Sequence, residues 1–350
     1  MPLSPRKRIL AALGVAALGL LGPAVADACG SFFRSKRASS EQTPSLAREK
    51  VLLIHDAELG RQHFVREVAF VRAREPFGFV VPTPTKPEVA EVKTTPFTKL
   101  RALFPFSPSS RGPQARSGRG AGGSAGVEVL EVAKVGSFTA FVLAATDADA
   151  LGKWLAKNKL VSDEASDAWL AHYVEMGFFY VAMRYDPPAR PKPGSSREVV
   201  AETLRISFDT PIPYYPYLEP LRGEPTRELE PTQSRLLELW YVGAEPVVPV
   251  ALREREGASA WVQPLRRGLV TSDARVRLED ALAPELEELL PAGPLLVQTF
   301  EDQKRDRGGF GDVLFAFEQG RALTPELAAE LEPLLGILDP ALIKTQEQDQ

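Results

Sequence analysis

Apolar and polar residues alternate, or run unbroken, in short blocks along most of this chain, and the blocks predict strands more often than helices. Val51-Leu52-Leu53-Ile54 is a run of β formers. After a turn at Glu58-Leu59-Gly60 comes Phe64 to Val71, which alternates with period two, and then Phe77 to Val81, stopped by Pro82, Pro84 and Pro87. A β-meander is the economical arrangement for these three. Val127 to Val132, Phe138 to Leu143, Phe178 to Met183, Glu202 to Phe208, Trp261 to Leu265 and Leu295 to Phe300 read as further strands, and Leu236 to Trp240 reads as the partner of Val247 to Leu252.

Two segments carry helical spacing instead. Leu151, Trp154 and Leu155 fall on one face. Trp169, Tyr173 and Met176 fall on another, with Ser162 as cap, Asp163 and Glu164 in the first turn and Gly177 as terminator. Pro284 to Leu290 and Pro325 to Leu335 read as short helices opened by proline. The expected class is α+β and β-rich, as antiparallel sheets or a sandwich, with a helical pair near 147-176 and short C-terminal helices.

Composition sharpens this picture. Hydrophobic residues make up 44% and charged residues 25% of 350 positions, enough for a packed core. A net charge of −4 argues against a nucleic-acid partner. One cysteine excludes an internal disulfide and a zinc–thiolate cluster.

The first residues read as an address. Arg6, Lys7 and Arg8 precede the uncharged run Ile9 to Leu21, Pro23 breaks it, and Ala24-Val25-Ala26 is the small-x-small pattern of a cleavage site after Ala26. The expected division is a signal peptide over 1-26, a flexible segment over 27-48 and a β-rich domain over 49-270. A flexible glycine-rich insertion at 107-126 interrupts that domain, a C-terminal α/β extension follows over 271-343, and a frayed tail closes the chain at 344-350. Localisation is then periplasmic or secreted. Cys29 is the candidate lipidation site, although Ala26 and Asp27 make a poor lipid box, and membrane contact would arise only through that lipid.

Ala28-Cys29-Gly30-Ser31-Phe32-Phe33, the Val51–Val71 strand pair and Phe79 to Val89 occur in order, followed by Val135-Gly136-Ser137-Phe138, Asp149 to Leu155, Tyr173 to Met183 and Leu204 to Pro216. In this order they resemble the bacterial domain-of-unknown-function 2330 family of exported proteins over most of residues 28–250. The resemblance implies fold and export, and no chemistry. It also implies an early disulfide, which this chain cannot form, because Arg34-Ser35 stands where a second cysteine is expected.

Candidate chemistry is sparse. Gly122-Gly123-Ser124-Ala125-Gly126 matches GxSxG without the strand–turn–helix context a nucleophile elbow needs. His55 and His63 flank a turn near Asp56 and Glu58 but lack a metal-ligand spacing, and His172 reads as a surface or boundary residue. Glu301, Asp302, Asp306 and Asp312 surround a glycine loop, yet Lys304, Arg305 and Arg307 oppose calcium, so a solvated turn is expected. No catalytic residue, metal ligand or cofactor is assigned. Tyr214, Tyr215 and Tyr217, displayed by rigid prolines, are the candidate recognition surface; the competing role is to end strands and cover a sheet edge. Arg111, Arg116 and Arg119 in the insertion are candidates for touching an anionic envelope polymer, against the blander reading of a solvated linker. The sequence thus points to a non-catalytic envelope or secreted binding or scaffold protein whose partner is an unknown envelope protein or polymer. The alternative is an exported hydrolase with an unrecognised active site.

Overall fold

The computed structural model describes residues 31–36, 45–71, 75–106, 131–135, 138–144, 148–186, 198–220, 236–255, 258–303, 307 and 309–318. The chain enters with strands β1 (Ser31–Ser35), β2 (Ser45–Asp56), β3 (Arg61–Val71), β4 (Phe77–Thr83) and β5 (Glu88–Glu91), then helix α1 (Phe97–Leu103). Next come β6 (Glu131–Val135), β7 (Phe138–Ala144), α2 (Ala148–Lys157), β8 (Leu160–Val161), α3 (Glu164–Glu175) and β9 (Phe179–Tyr185). Then follow β10 (Glu198–Val200), β11 (Leu204–Asp209), β12 (Tyr214–Tyr215), β13 (Leu236–Gly243), β14 (Val247–Arg255), β15 (Ala258–Val262) and β16 (Arg266–Thr271). Helices α4 (Arg275–Ala281) and α5 (Pro284–Glu287) and strands β17 (Leu296–Asp302) and β18 (Val313–Phe317) complete it. The fold is β-rich, with short helices, as the patterning predicts.

Three sheets result. A six-stranded sheet has the order β6-β7-β9-β4-β1-β8, and a four-stranded sheet has the order β12-β18-β14-β15. An eight-stranded sheet runs β16-β17-β13-β2-β3-β11-β5, with β10 also paired to β3. Its only parallel pairing among the described strands is β13 with β2.

The unbroken run in β2 follows from burial on both faces. Val51 and Leu53 point into the main core with Phe64, Leu237, Leu239 and Tyr241. Leu52 and Ile54 point the other way, into a second core with Trp240, Phe97 and Leu100 of α1 and Leu278 of α4. At the end of β2, the Asp56 carboxylate accepts from the N–H groups of Glu58 and Leu59 at 2.9 and 3.0 Å. Gly60 takes φ +60° and returns the chain into β3, the turn expected from Glu58-Leu59-Gly60.

Several expectations change. The meander ends after two strands, because β4 leaves for the six-stranded sheet between β1 and β9. Every residue of β4 is buried, so it needs cover on both faces. Residues 31–35, expected to be loose, form β1: Phe32 and Phe33 are buried and only Arg34 points out. The surrounding charges of Arg34 and Lys36 masked a short strand whose apolar pair decides its place. Leu236–Gly243 does not pair with Val247–Arg255. It lies between β2 and β17, while β14 pairs with β15 and β18. In the expected C-terminal extension, β17 pairs with β13 and β16, and β18 pairs with β14 and β12, so residues 296–317 complete sheets begun earlier in the chain.

Two buried amides join the large sheet to the small one. Gln62 of β3 donates to the Tyr214 carbonyl at 2.7 Å and accepts from its N–H at 2.8 Å. Gln298 of β17 treats Val247 in the same way, donating at 3.0 Å and accepting at 2.9 Å. Each side chain supplies what a neighbouring strand would, to the first residue of β12 or of β14.

Candidate functional site

The segment Pro211 to Tyr217 holds its tyrosines inside the molecule. Tyr214, Tyr215 and Tyr217 are each 0% exposed, which removes them as a recognition surface. Prolines that seemed to display the rings instead end β11 and lay a two-residue strand along β18, where Tyr214 pairs with Leu314 and Tyr215 with Val313.

Each hydroxyl reaches a different carboxylate, buried for Glu49 and Asp302 and half-buried for Asp312. Tyr214 donates to Asp312 at 2.6 Å, Tyr215 to Glu49 at 2.9 Å and Tyr217 to Asp302 at 2.7 Å. Glu49 pairs with Arg66 at 2.7 Å, and that guanidinium lies 4.3 Å from the Phe79 ring. Asp302 accepts from Arg307 at 2.9 Å. The fully buried Arg307 lies 4.6 Å from the Tyr217 ring and 3.9 Å from Glu219. The expected solvated turn at Glu301 to Asp312 is therefore a buried charge cluster: Arg307 folds inward, and Glu301 pairs with Arg266 at 3.0 Å. Asp306 lies outside the described residues.

Asp312 is bound differently: its partners among the described residues are uncharged donors. Besides Tyr214 it accepts from the Tyr173 hydroxyl at 2.9 Å, the Tyr217 N–H at 2.7 Å and the Leu218 N–H at 2.8 Å. Burial pushes its carboxyl above the ordinary value, with the hydrogen bonds pulling the other way. Tyr173, buried beside that carboxylate, is held well above the usual phenol range, first by desolvation and then by the Asp312 charge.

Asp312 and Leu218 also line a cleft of about 310 Å³. One wall is α3, whose residues Ala165, Ala168, Trp169 and His172 share a face at helical spacing. Asp163 caps this helix by accepting from the Ser166 N–H at 2.9 Å, one residue later than the expected Ser162, and Gly177 ends it at φ +70°. The other wall is Leu252 of β14, Trp261 of β15 and the loop Gly309 to Asp312, with Leu218, Glu219 and Pro220 between. The Trp169 indole donates to the Leu218 carbonyl at 2.9 Å, which fixes its ring. His172 is exposed at the rim.

The other sequence candidates stay apart. His55 faces Gln62 across the hairpin and His63 faces Ile54, which puts the two histidines on opposite sides of the sheet. His55 is buried, 3.1 Å from the Thr210 carbonyl. His63 lies 2.8 Å from the Ser207 hydroxyl and is lowered to about 4, first by burial and then by Arg205 and Arg61. Among the described residues no group of three or more His, Cys, Asp or Glu side chains is placed to hold a metal. Ala26, Cys29, Ser124, Arg111, Arg116, Arg119 and Pro325 to Leu335 lie outside the described residues. The cleft itself was missed in the sequence. Its one legible trace was the α3 face, where two alanines flank a tryptophan.

Residues 23–219, more than half of the chain, match a family described as an uncharacterised protein conserved in bacteria, DUF2330. The chain belongs to this family. In this DUF2330 protein the match takes in α3, Tyr214 to Tyr217 and Glu219, whereas Trp261, Asp302, Arg307 and Asp312 come from beyond it. No curated protein matches the chain. Among solved structures it is similar to baculovirus P35, at 9% identity and a TM-score of 0.33 over 79% of this chain and 92% of that one. A mutated baculovirus P35 after caspase cleavage also aligns, at 9% identity and a TM-score of 0.28 over 78% and 94%. Likeness at this level carries no argument.

Proposed function

We propose that this DUF2330 protein is exported, acts in the envelope or medium as a non-catalytic binding protein, and receives its partner in the cleft beside α3. The observation that carries the binding role is the division of labour in the cleft. Its lining is mostly apolar and aromatic, and of its two carboxylates Asp312 is already occupied by four donors while Glu219 lies 3.9 Å from Arg307. A carboxylate so saturated orients structure rather than moving protons. Export is supported by the Arg6–Arg8 and Ile9–Leu21 pattern and the Ala24-Val25-Ala26 site, with Cys29 as the lipid-bearing residue if the chain is tethered.

The test is mass spectrometry on a C-terminally tagged copy, cross-linked in cells and recovered from envelope and medium, alongside Ala168→Trp to fill the cleft. The expected result is a mature N-terminus at Asp27 or a lipid-modified Cys29, with a recurrent partner that the filled cleft loses. An intact Met1 in the cytoplasm overturns export. Partner recovery indifferent to Ala168→Trp overturns the cleft.

A further inference from the structure

Strand β15 is an edge of the four-stranded sheet, paired among the described strands with β14 alone. In that pair Trp261 stands opposite Leu252. The Leu252 carbonyl accepts from the Gly311 N–H at 2.6 Å, on the side of β14 that also carries β18. Residues opposite one another in an antiparallel pair either exchange both hydrogen bonds or turn their polar groups away from each other. Leu252 turns away, so Trp261 does too, and its main-chain N–H and C=O face the open side of β15. They have no hydrogen-bond partner among the described residues. Ser259, two positions earlier and opposite Glu254, has the same main-chain orientation.

Nothing in this strand blunts the edge. Ala258 to Val262 contains no charge and no proline, and it pairs in unbroken register. The edge at β16 is managed in the opposite way, with Arg266, Arg267 and a register shift between Arg267 and Val270. The open edge also adjoins the cleft. The Leu252 and Trp261 side chains share one face of the hairpin, and both line the cleft across from α3. A segment laid along β15, about 4.8 Å away, sends every second side chain to that face. There the helix wall is kept low by Ala165 and Ala168, beside the Trp169 ring fixed by its bond to the Leu218 carbonyl. The Trp261 indole N–H has no such acceptor, so packing alone holds that ring and leaves it free to settle against a guest.

These features select the guest. A helix has spent its main-chain groups on itself, whereas an extended peptide offers N–H and C=O at the strand repeat and side chains on alternate faces. Pairing β15 with β15 of a second copy would bring a second α3 to the same seam. A single extended segment brings only its own side chains.

We propose that an extended peptide segment of a partner protein adds to the open edge of β15 as a new strand, with an apolar side chain seated in the cleft between Trp261 and α3. This rests on the reading of the cleft as a binding site.

The probe is a capped peptide of alternating valine and threonine with a lysine at each end, titrated into the purified full chain and followed by tryptophan fluorescence and calorimetry. Two N-methylated versions keep every side chain and remove the N–H groups of one edge each, from the valines or from the threonines. The parent peptide is expected to bind, one N-methylated version at least about tenfold more weakly, and the other like the parent. Ser259→Pro removes an outward N–H that β14 does not use, and should weaken the parent peptide about tenfold without lowering the melting temperature. Ala168→Trp, at an exposed helix position, should weaken it as much by filling the cleft. Equal affinity for all three peptides, no binding at millimolar concentration, or binding unchanged in either variant each overturns the proposal. Self-association of the chain that Ser259→Pro abolishes, with the peptides inert, overturns the peptide in favour of a second copy. Inert peptides with partner recovery still lost in Ala168→Trp overturn the added strand and leave the cleft as a binding site. Indifference of both peptide binding and partner recovery to Ala168→Trp removes both readings.

Discussion

Replacing Asp312 is the most informative perturbation of this structure. In Asp312→Ala four donors lose their acceptor: two hydroxyls, of Tyr173 and Tyr214, and two main-chain N–H groups, of Tyr217 and Leu218. The hydroxyls can rotate about their C–O bonds, but the amides are fixed by the backbone. An orphaned buried donor costs about 1–3 kcal/mol, so the amides alone set a loss of about 4 kcal/mol. At roughly 2–4 °C per kcal/mol for a large domain, the melting temperature should fall by roughly 8–16 °C. Asp312→Asn is the discriminating control. Its carbonyl can accept from both amides while its NH₂ donates to the two tyrosine oxygens, and it removes a buried charge, so the loss should be about 1–2 kcal/mol. Urea denaturation of parent and variants at neutral pH, followed by tryptophan fluorescence, measures both. Equal losses for Ala and Asn, or an Ala variant within about 1 kcal/mol of the parent, would refute the assignment of Asp312 as the acceptor that holds this segment.

Other consequences are as direct. His63 is lowered from 6.5 to about 4, so it is neutral in the folded chain. Stability present above pH 6.5 should decline as pH falls toward 4, by roughly 1–2 kcal/mol once solvent screening of this partly exposed ring is allowed for. Denaturation curves of parent and His63→Gln between those limits should converge at acid pH. Gln62→Ala orphans both polar groups of Tyr214 and should cost about 2–4 kcal/mol, read by urea denaturation, whereas Gln62→Glu, which cannot donate to the carbonyl, should restore little. Tyr217→Phe removes one hydrogen bond to Asp302 while Arg307 remains, and should cost about 1–2 kcal/mol in the same assay.

Much of the strand content was legible because period and run length are local properties. Phe64 to Val71, Phe178 to Met183 and the α2 and α3 faces owe their form to their own residues. Pairing was not legible. Whether Val247 to Leu252 joins Leu236 to Trp240 depends on β2 and β17, which lie far away in the chain and compete for the same edges. The tyrosines show the same limit. The carboxylates that draw Tyr214, Tyr215 and Tyr217 inward are 98, 166 and 85 positions away. In one dimension an amphipathic ring beside prolines resembles a display, and only its distant acid shows that it is an anchor.

The two glutamine clasps bear on what counts as a unit of folding. The family match stops at residue 219, but Gln62 is only half of a fastening whose other half, Gln298 on Val247, lies well past that point. Without the later residues, β2 would lose its parallel neighbour β13, Tyr214 and Tyr215 their strand β18, and Tyr217 its acid. The shared family segment is therefore not a domain to be excised, and a fragment cut at its boundary should expose a bare sheet edge and aggregate. Strands β13 to β18, which lie beyond that match, are the lock that closes it.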